Sequence, residues 1–260
     1  MPAIEDIKCF LLDMDGTFYL GDRVLPGSLE FIDAVKKSGR DYLFLTNNSS
    51  HNALYYVERL KRMGLDVGRE KILTSGEATA CKAAALYPGK RAYVLGNEYL
   101  RAELREGGIE IDQGSPDYVI VGYDTTLDYK KMTEVCDFVR AGLPYVATHP
   151  DFNCPTESGF APDIGAIMAF IEASAGRKAD LIVGKPHAGI VEAALRRTGL
   201  KNHQLAMCGD RLYTDVETGI RHGMLSVLVL SGETTKEMAA ASATKPDLTL
   251  ERLADLIPML

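Results

Sequence analysis

The sequence lacks the features that would place it in several large functional classes. It has no surplus of positive charge: 29 Lys and Arg stand against 36 Asp and Glu, a net charge of -7. That balance argues against a broad electropositive surface of the kind that tracks a nucleic-acid backbone, so any anion site must be local. No apolar run approaches the ~18 residues of a membrane span. The opening stretch MPAIEDIKCFLLDMDG carries acids where a secretory leader would be basic. The five cysteines, Cys9, Cys81, Cys136, Cys154 and Cys208, show no CxxC pairing, and Cys9 and Cys208 sit in apolar runs, as reduced thiols do. Internal repeats, low-complexity tracts and flexible linkers are also missing. The five histidines form no paired ligand motif. His149 and His187 read as loop and helix-start residues, with His149 also a substrate-binding candidate. The expectation is a soluble cytoplasmic protein that handles a small molecule, with neither nucleic acid nor membrane as partner.

What is present is a regular alternation. With 46% hydrophobic residues the chain has ample material for a core. Short apolar runs at 7–12, 42–45, 72–73, 92–95, 118–121, 145–147, 181–183, 205–208 and 225–230 read as strands. Helical periods over 28–38, 52–63, 128–141 and 186–198 separate them, each closed by a glycine: Gly39, Gly64, Gly142 and Gly199. Pro186 fits the first helical position. Alternating strands and helices imply an α/β fold with a doubly wound, Rossmann-like parallel sheet.

The chemistry-bearing residues fall where strands run out, which in open α/β sheets is where ligands bind. The first strand ends in Asp13-Met14-Asp15-Gly16-Thr17, two carboxylates at a point where Gly16 lets the chain turn. A solvated turn with an Asx cap is the plain alternative. The second strand ends in Thr46-Asn47-Asn48-Ser49, a group of hydroxyl, amide and N–H donors that suits either an anion or simple helix capping. Lys185 sits between a strand and a helix, placed either to snorkel or to neutralise a phosphoryl group. Asp210 and Asp215 follow a further apolar run.

In order and spacing these motifs resemble the haloacid dehalogenase superfamily: DMDGT at 13–17, Thr46, GKP at 184–186 and GDRLYTD at 209–215. The Phe18 to Gly27 segment looks like that superfamily's flap. The stretch containing Ala147-Thr148-His149-Pro150-Asp151 and Gly159 through Gly165 is similar to the large α/β cap of its NagD and p-nitrophenylphosphatase-like branch. The motifs lie at the two ends, so the resemblance implies a core of residues 1–78 and 179–260 with a cap inserted at 79–178. One departure is Pro162-Asp163-Ile164-Gly165, where the branch usually has glycine after the proline; it bears on how the cap meets substrate.

The resemblance also implies roles. Asp13 is the expected nucleophile, attacking phosphorus to give a phosphoryl-aspartate, and Asp15 the general acid and then base. Mg2+ is the expected cofactor, held by a carboxylate oxygen of Asp13, the main-chain carbonyl of Asp15 and Asp210, an all-oxygen site. Thr46, the Asn47 amide and Lys185 are expected at the phosphoryl oxygens, with Asp215 orienting Lys185 or the metal's waters.

The implied activity is hydrolysis of small phosphate monoesters. A dehalogenase has no use for Asp15 or Asp210. A phosphomutase or phosphonatase of the same superfamily remains an alternative, although no cap lysine stands out for the phosphonatase Schiff base. A response-regulator receiver carries its aspartate after the third strand in about half the length. A non-catalytic sensor of phosphometabolites is the remaining reading. In the polar loop 151–158, Glu157 leans the substrate towards neutral sugar or nucleoside leaving groups, since it would repel a second anion. A homodimer through the cap is left open.

Overall fold

The computed structural model describes residues 2–156 and 159–260. Glu157, and with it the expectation about leaving groups, lies outside the described residues. The chain divides into two units. The first comprises Met1–Thr46, Tyr56–Leu73 and Val191–Leu260, the second Asn47–Tyr55 and Thr74–Ile190. The second therefore takes in more chain on both sides than the 79–178 expected of a cap.

In the first unit, six strands run in the order Leu248–Leu250, Leu225–Val229, Leu205–Gly209, Cys9–Leu12, Asp41–Thr46 and Ile72–Thr74. The pairings from Leu248–Leu250 through Asp41–Thr46 are parallel. All four residues of Cys9–Leu12 and all five of Leu205–Gly209 and Leu225–Val229 are buried. That explains why these strands read as unbroken apolar runs: a parallel sheet covered on both faces has no solvent side for polar residues to occupy. Phe10 meets Phe31 of the Ser28–Lys37 helix edge-on at 5.4 Å, and Phe18 meets Phe44 at 5.0 Å. From Cys9–Leu12 the chain proceeds outwards to one edge, then returns to build the other side from Leu205–Gly209. The strands ending at Leu12 and Gly209 are thus neighbours across the point where the winding reverses, which is where such sheets place their ligand.

The second unit has its own five-stranded parallel sheet, ordered Leu181–Ile182, Tyr145–Ala147, Tyr118–Val121, Arg91–Leu95 and Glu110–Ile111. One core packs Val119, Val121 and Tyr145 with Ile164, Ile167 and Ile171. Another packs Val94 and Ile120 with Leu100 and Leu104. An antiparallel hairpin, Asn153–Thr156 with Gly159–Pro162, precedes the Ile164–Ala175 helix. The 47–55 segment belongs to this unit because Glu103, only 2% exposed, accepts the Ala53 N–H at 3.1 Å and the Thr74 hydroxyl at 2.6 Å. Asn97 donates to the Ser50 carbonyl as well, at 2.9 Å.

The helix stops follow the glycines: φ is +74° at Gly39, +91° at Gly64 and Gly142, and +67° at Gly199, values that cost a side-chain-bearing residue but not glycine. Pro186 differs from expectation. Gly184 to His187 close a turn, with the His187 N–H on the Gly184 carbonyl at 2.8 Å, so the helix begins only at Ala188. The Lys185–Pro186 peptide bond is cis.

Candidate active site

In the first unit the Asp13 N–H still donates to the Cys208 carbonyl at 2.9 Å, the last rung of the ladder between the two central strands. Beyond it the chain turns at once. The Phe18 and Tyr19 N–H groups return to the Met14 carbonyl at 2.9 and 3.1 Å, and the Gly16 N–H reaches the Tyr19 carbonyl at 2.7 Å. The flap expected after this turn is a short antiparallel hairpin, Tyr19–Leu20 with Arg23–Val24. On the neighbouring strand, Asp210 follows Gly209 directly, and Asp215 returns in the wide turn Leu212–Val216. Asp13, Asp210 and Asp215 thereby offer carboxylate oxygens that all lie within 4.8 Å of one another.

Asp210 is walled in. A Cβ at Gly16, whose φ is +85°, would come within 2.5 Å of its Oδ2, and one at Gly232 would also strike it. Its Oδ2 accepts the Glu233 N–H at 2.6 Å and its Oδ1 the Thr17 hydroxyl at 3.4 Å; Asp215 accepts the Arg211 N–H at 3.1 Å. These donors do not offset the loss of water and the nearness of a second acid. Burial first, and the charge of Asp215 second, push the Asp210 carboxyl up to about 6. Ionised together, buried carboxylates this close repel, and a hard divalent cation removes that repulsion. The donor set fits such an ion.

Asp15 is half-buried, and burial raises its carboxyl above the usual range against the opposing pull of the Arg59 and Arg211 guanidinium groups. Arg59 is itself fixed, stacked 4.5 Å from the Tyr19 ring centre and donating to the Gly21 carbonyl at 2.9 Å. Thr46 ends its strand and is 7% exposed.

Asn47 and Lys185 lie in the second unit. Lys185 is 2% exposed. The Asn47 carboxamide faces its main chain: Oδ1 accepts the Lys185 N–H at 2.8 Å, and Nδ2 donates to the Lys185 carbonyl at 3.0 Å. Nδ2 also lies 3.2 Å from both carboxylate oxygens of Asp151. Gly184 is required here, because a Cβ would lie 2.7 Å from the Asn47 Oδ1, the His149 Cβ and the Thr148 carbonyl alike.

His149 is fully buried and pairs with Asp163, Nε2 to Oδ1 at 3.2 Å, while its Nδ1 meets the Thr148 hydroxyl at 3.0 Å. Thr148 meets Ser49 at 3.0 Å, and Ser49 accepts the Tyr123 N–H at 2.8 Å. With the histidine proton on Nε2 every donor in this row has an acceptor, running from Tyr123 through Ser49 and Thr148 to His149 and Asp163. Asp163, in the position where glycine is usual, caps the following helix through the Ile164 N–H at 2.6 Å and completes the row. His149, Asp151 and Asp163 form a second group whose ligand-type atoms lie within 4.8 Å of one another. Sequence reasoning named His149 as a substrate-binding candidate, Asp151 only as part of the polar loop 151–158 and Asp163 only as a departure from glycine; it did not join the three.

Among the described residues no helix is long and apolar enough to cross a membrane. Residues 10–110 match the model of haloacid dehalogenase-like hydrolases, and residues 182–256 a HAD-hydrolase-like model. An acid sugar phosphatase of Staphylococcus aureus is 34% identical over 98% of both chains. A 5'-nucleotidase, YutF, of Bacillus subtilis is 32% identical over 98% of this chain and 99% of its own. The crystal structure of a 4-nitrophenylphosphatase from Thermotoga maritima superposes with a TM-score of 0.96 at 45% identity, over 98% of each chain. With the strand-end acids, the parallel sheets and these likenesses in agreement, the chain belongs to the haloacid dehalogenase-like hydrolases, in their NagD and p-nitrophenylphosphatase-like branch.

Proposed function

We propose that the protein is a Mg2+-dependent phosphatase that hydrolyses small phosphate monoesters, of the sugar phosphate or nucleoside monophosphate type, through a phosphoryl-aspartate. The observation that carries this reading is the trio of carboxylates, the half-buried Asp13 with the buried Asp210 and Asp215, beyond the carboxyl ends of the two central strands. The acid sugar phosphatase and the 5'-nucleotidase among its relatives support the two substrate types.

Asp13 supplies the nucleophilic oxygen. Its attack forms an O–P bond as the bond from phosphorus to the leaving oxygen breaks, and Asp15 gives its proton to the departing alkoxide. Water then attacks the phosphoryl-aspartate, Asp15 takes up the water's proton, and inorganic phosphate leaves with Asp13 restored. A carboxyl whose affinity for protons is raised by burial suits this double duty. Mg2+ would be held by Asp13, the main-chain carbonyl of Asp15 and Asp210, with Asp215 beside them, and when bound it supplies positive charge to the phosphoryl oxygens. Lys185 neutralises charge on phosphate and nucleophile, and Thr46 donates its hydroxyl. The contribution of Asn47 is assigned to its main-chain N–H, because both hydrogens of its side-chain amide are engaged by Lys185 and Asp151.

The test is a Mg2+-supplemented panel of phosphorylated metabolites ranked by kcat/KM, with an acid quench to trap the acyl phosphate. Sugar phosphates or nucleoside monophosphates should lead, and label should remain on Asp13. Turnover without trapped label, or no turnover on any phosphate ester, would sink the proposal.

A further inference from the structure

Asn47 sits next to Thr46, where a polar side chain would be expected to reach for phosphate. The hydrogen bonds point elsewhere. A carboxamide has two N–H donors and one carbonyl oxygen. Here one donor and the oxygen are paired with the carbonyl and N–H of Lys185, the pattern a neighbouring strand would offer, and the other donor goes to Asp151. Asp151 is 6% exposed and is itself held from the main chain, its carbonyl accepting the Gly165 N–H at 2.7 Å. No side chain fits at Gly165, where a Cβ would lie 2.7 Å from the Pro150 carbonyl oxygen and 2.8 Å from that of Asp151. A continuous path of hydrogen bonds therefore runs from the first turn of the Ile164–Ala175 helix through Asp151 and Asn47 to the backbone of Lys185.

We propose that Asn47 and Asp151 are positioning residues, a clamp that fixes the Lys185 backbone and through it the placing of its ammonium group, and that the Asn47 side chain does not bind phosphate. The inference rests on the reading that Lys185 neutralises charge in the reaction. A pair acting only through the lysine has a signature: its removal costs activity while the lysine is present and costs little once the lysine is gone.

The experiment is a double-mutant cycle on the full chain with p-nitrophenyl phosphate and saturating Mg2+, each variant first checked by thermal melting. Lys185→Ala should lose about 10³-fold in kcat/KM, as loss of one stabilising donor does. Asn47→Ala and Asp151→Ala should each lose about 10²-fold in the native background, the cost of a misplacement of about 1 Å. In the Lys185→Ala background either should lose less than about threefold if the clamp acts through the lysine. Asp151→Asn keeps an oxygen to accept the Asn47 amide, so it should recover at least about tenfold over Asp151→Ala, a rescue that gross destabilisation of the loop would not give. Should Asn47→Ala not fold, the Asp151 variants in both backgrounds carry the test. Undiminished losses in the Lys185→Ala background would overturn the clamp and return Asn47 to the phosphate. Native activity in Lys185→Ala would instead overturn the reading beneath it.

Discussion

Each unit of the chain gathers three ligand-type side chains within 4.8 Å, and the two groups differ in how their negative charge is met. In the second unit the charge is answered from within: His149 and the Ile164 N–H serve Asp163, and the Asn47 amide serves Asp151. In the first unit Asp210 lies beside Asp215, and the Glu233 N–H and Thr17 hydroxyl that it accepts leave it still pushed up to about 6. One set is three aspartates and the other a histidine with two aspartates. A group of acids that has already found its donors is an element of structure. A carboxyl that burial and a neighbouring acid push above its usual range, as at Asp210, is one that a cation would relieve, and that distinguishes a metal site from a look-alike better than spacing alone.

The sharpest way to break the comparison is to remove one charge from the first group. Asp13→Asn should lower kcat by about four orders of magnitude or more while the melting temperature stays within a few degrees of native, since the side chain is only half-buried and the amide is isosteric. More than a few per cent of native turnover would take Asp13 out of the nucleophile's role. Chelation comes next. EDTA should silence the enzyme and Mg2+ restore it, and the same addition should raise the melting temperature of the native protein but not of Asp210→Asn. An enzyme indifferent to EDTA has no metal site of this kind.

The contrast between the groups also explains how much was legible in advance. Tyr118–Val121 and Tyr145–Ala147 were readable to the residue because buried parallel strands are short apolar blocks between glycines and polar turns. Asp13, Asp15, Asp210 and Asp215 stood out because carboxylates interrupt those blocks at their ends. The helices Ser75–Leu86 and Ile164–Ala175 are not legible in the sequence: the first is largely alanine and small residues and the second apolar on most sides, so neither shows a clear period of 3.6. The start of the unit at Asn47 was hidden too, because its cause is a buried Glu103 that reads like any other helical glutamate. Asn47 and Asp151 lie 104 residues apart, and no local pattern marks two polar residues as each other's partner.

Within the second unit the carboxylates are held by hydrogen bonds, so breaking one should appear in stability first. His149→Ala should cost about 3 kcal/mol, because it strips a buried carboxylate of its partner and opens a hole. The loss is read from urea unfolding at pH 7.5, and it should leave the Mg2+-dependent rise in melting temperature unchanged. A loss of that rise would mean the two groups are not independent. Gly165→Ala should cost about 2 kcal/mol by forcing a methyl against the Pro150 and Asp151 carbonyls. Unfolding indistinguishable from native would show that the turn yields.

The smallest effect sharpens the comparison from the side of pH. Asp210 binds its proton more tightly in the folded protein, up to about 6, than the 3.8 of a free aspartate. A raised carboxyl works against folding when it is ionised, so in EDTA its penalty is fully present above pH 6. As pH falls through 6 the folded state takes up a proton that the unfolded chain does not, and the penalty is relieved. Between pH 7.5 and 5.5 the metal-free protein should gain about 1 kcal/mol from this group. The reference is Asp210→Asn in the same buffers, which carries every other titration but not this one. The difference between the two unfolding curves isolates the residue. Mg2+ competes for the same oxygens, so its stabilisation of the native protein should shrink over the same interval, as the proton displaces it. A native-minus-Asp210→Asn difference that is flat across this range in EDTA would mean that Asp210 is already ionised at no cost, and the contrast between the two groups of acids would lose its electrostatic basis.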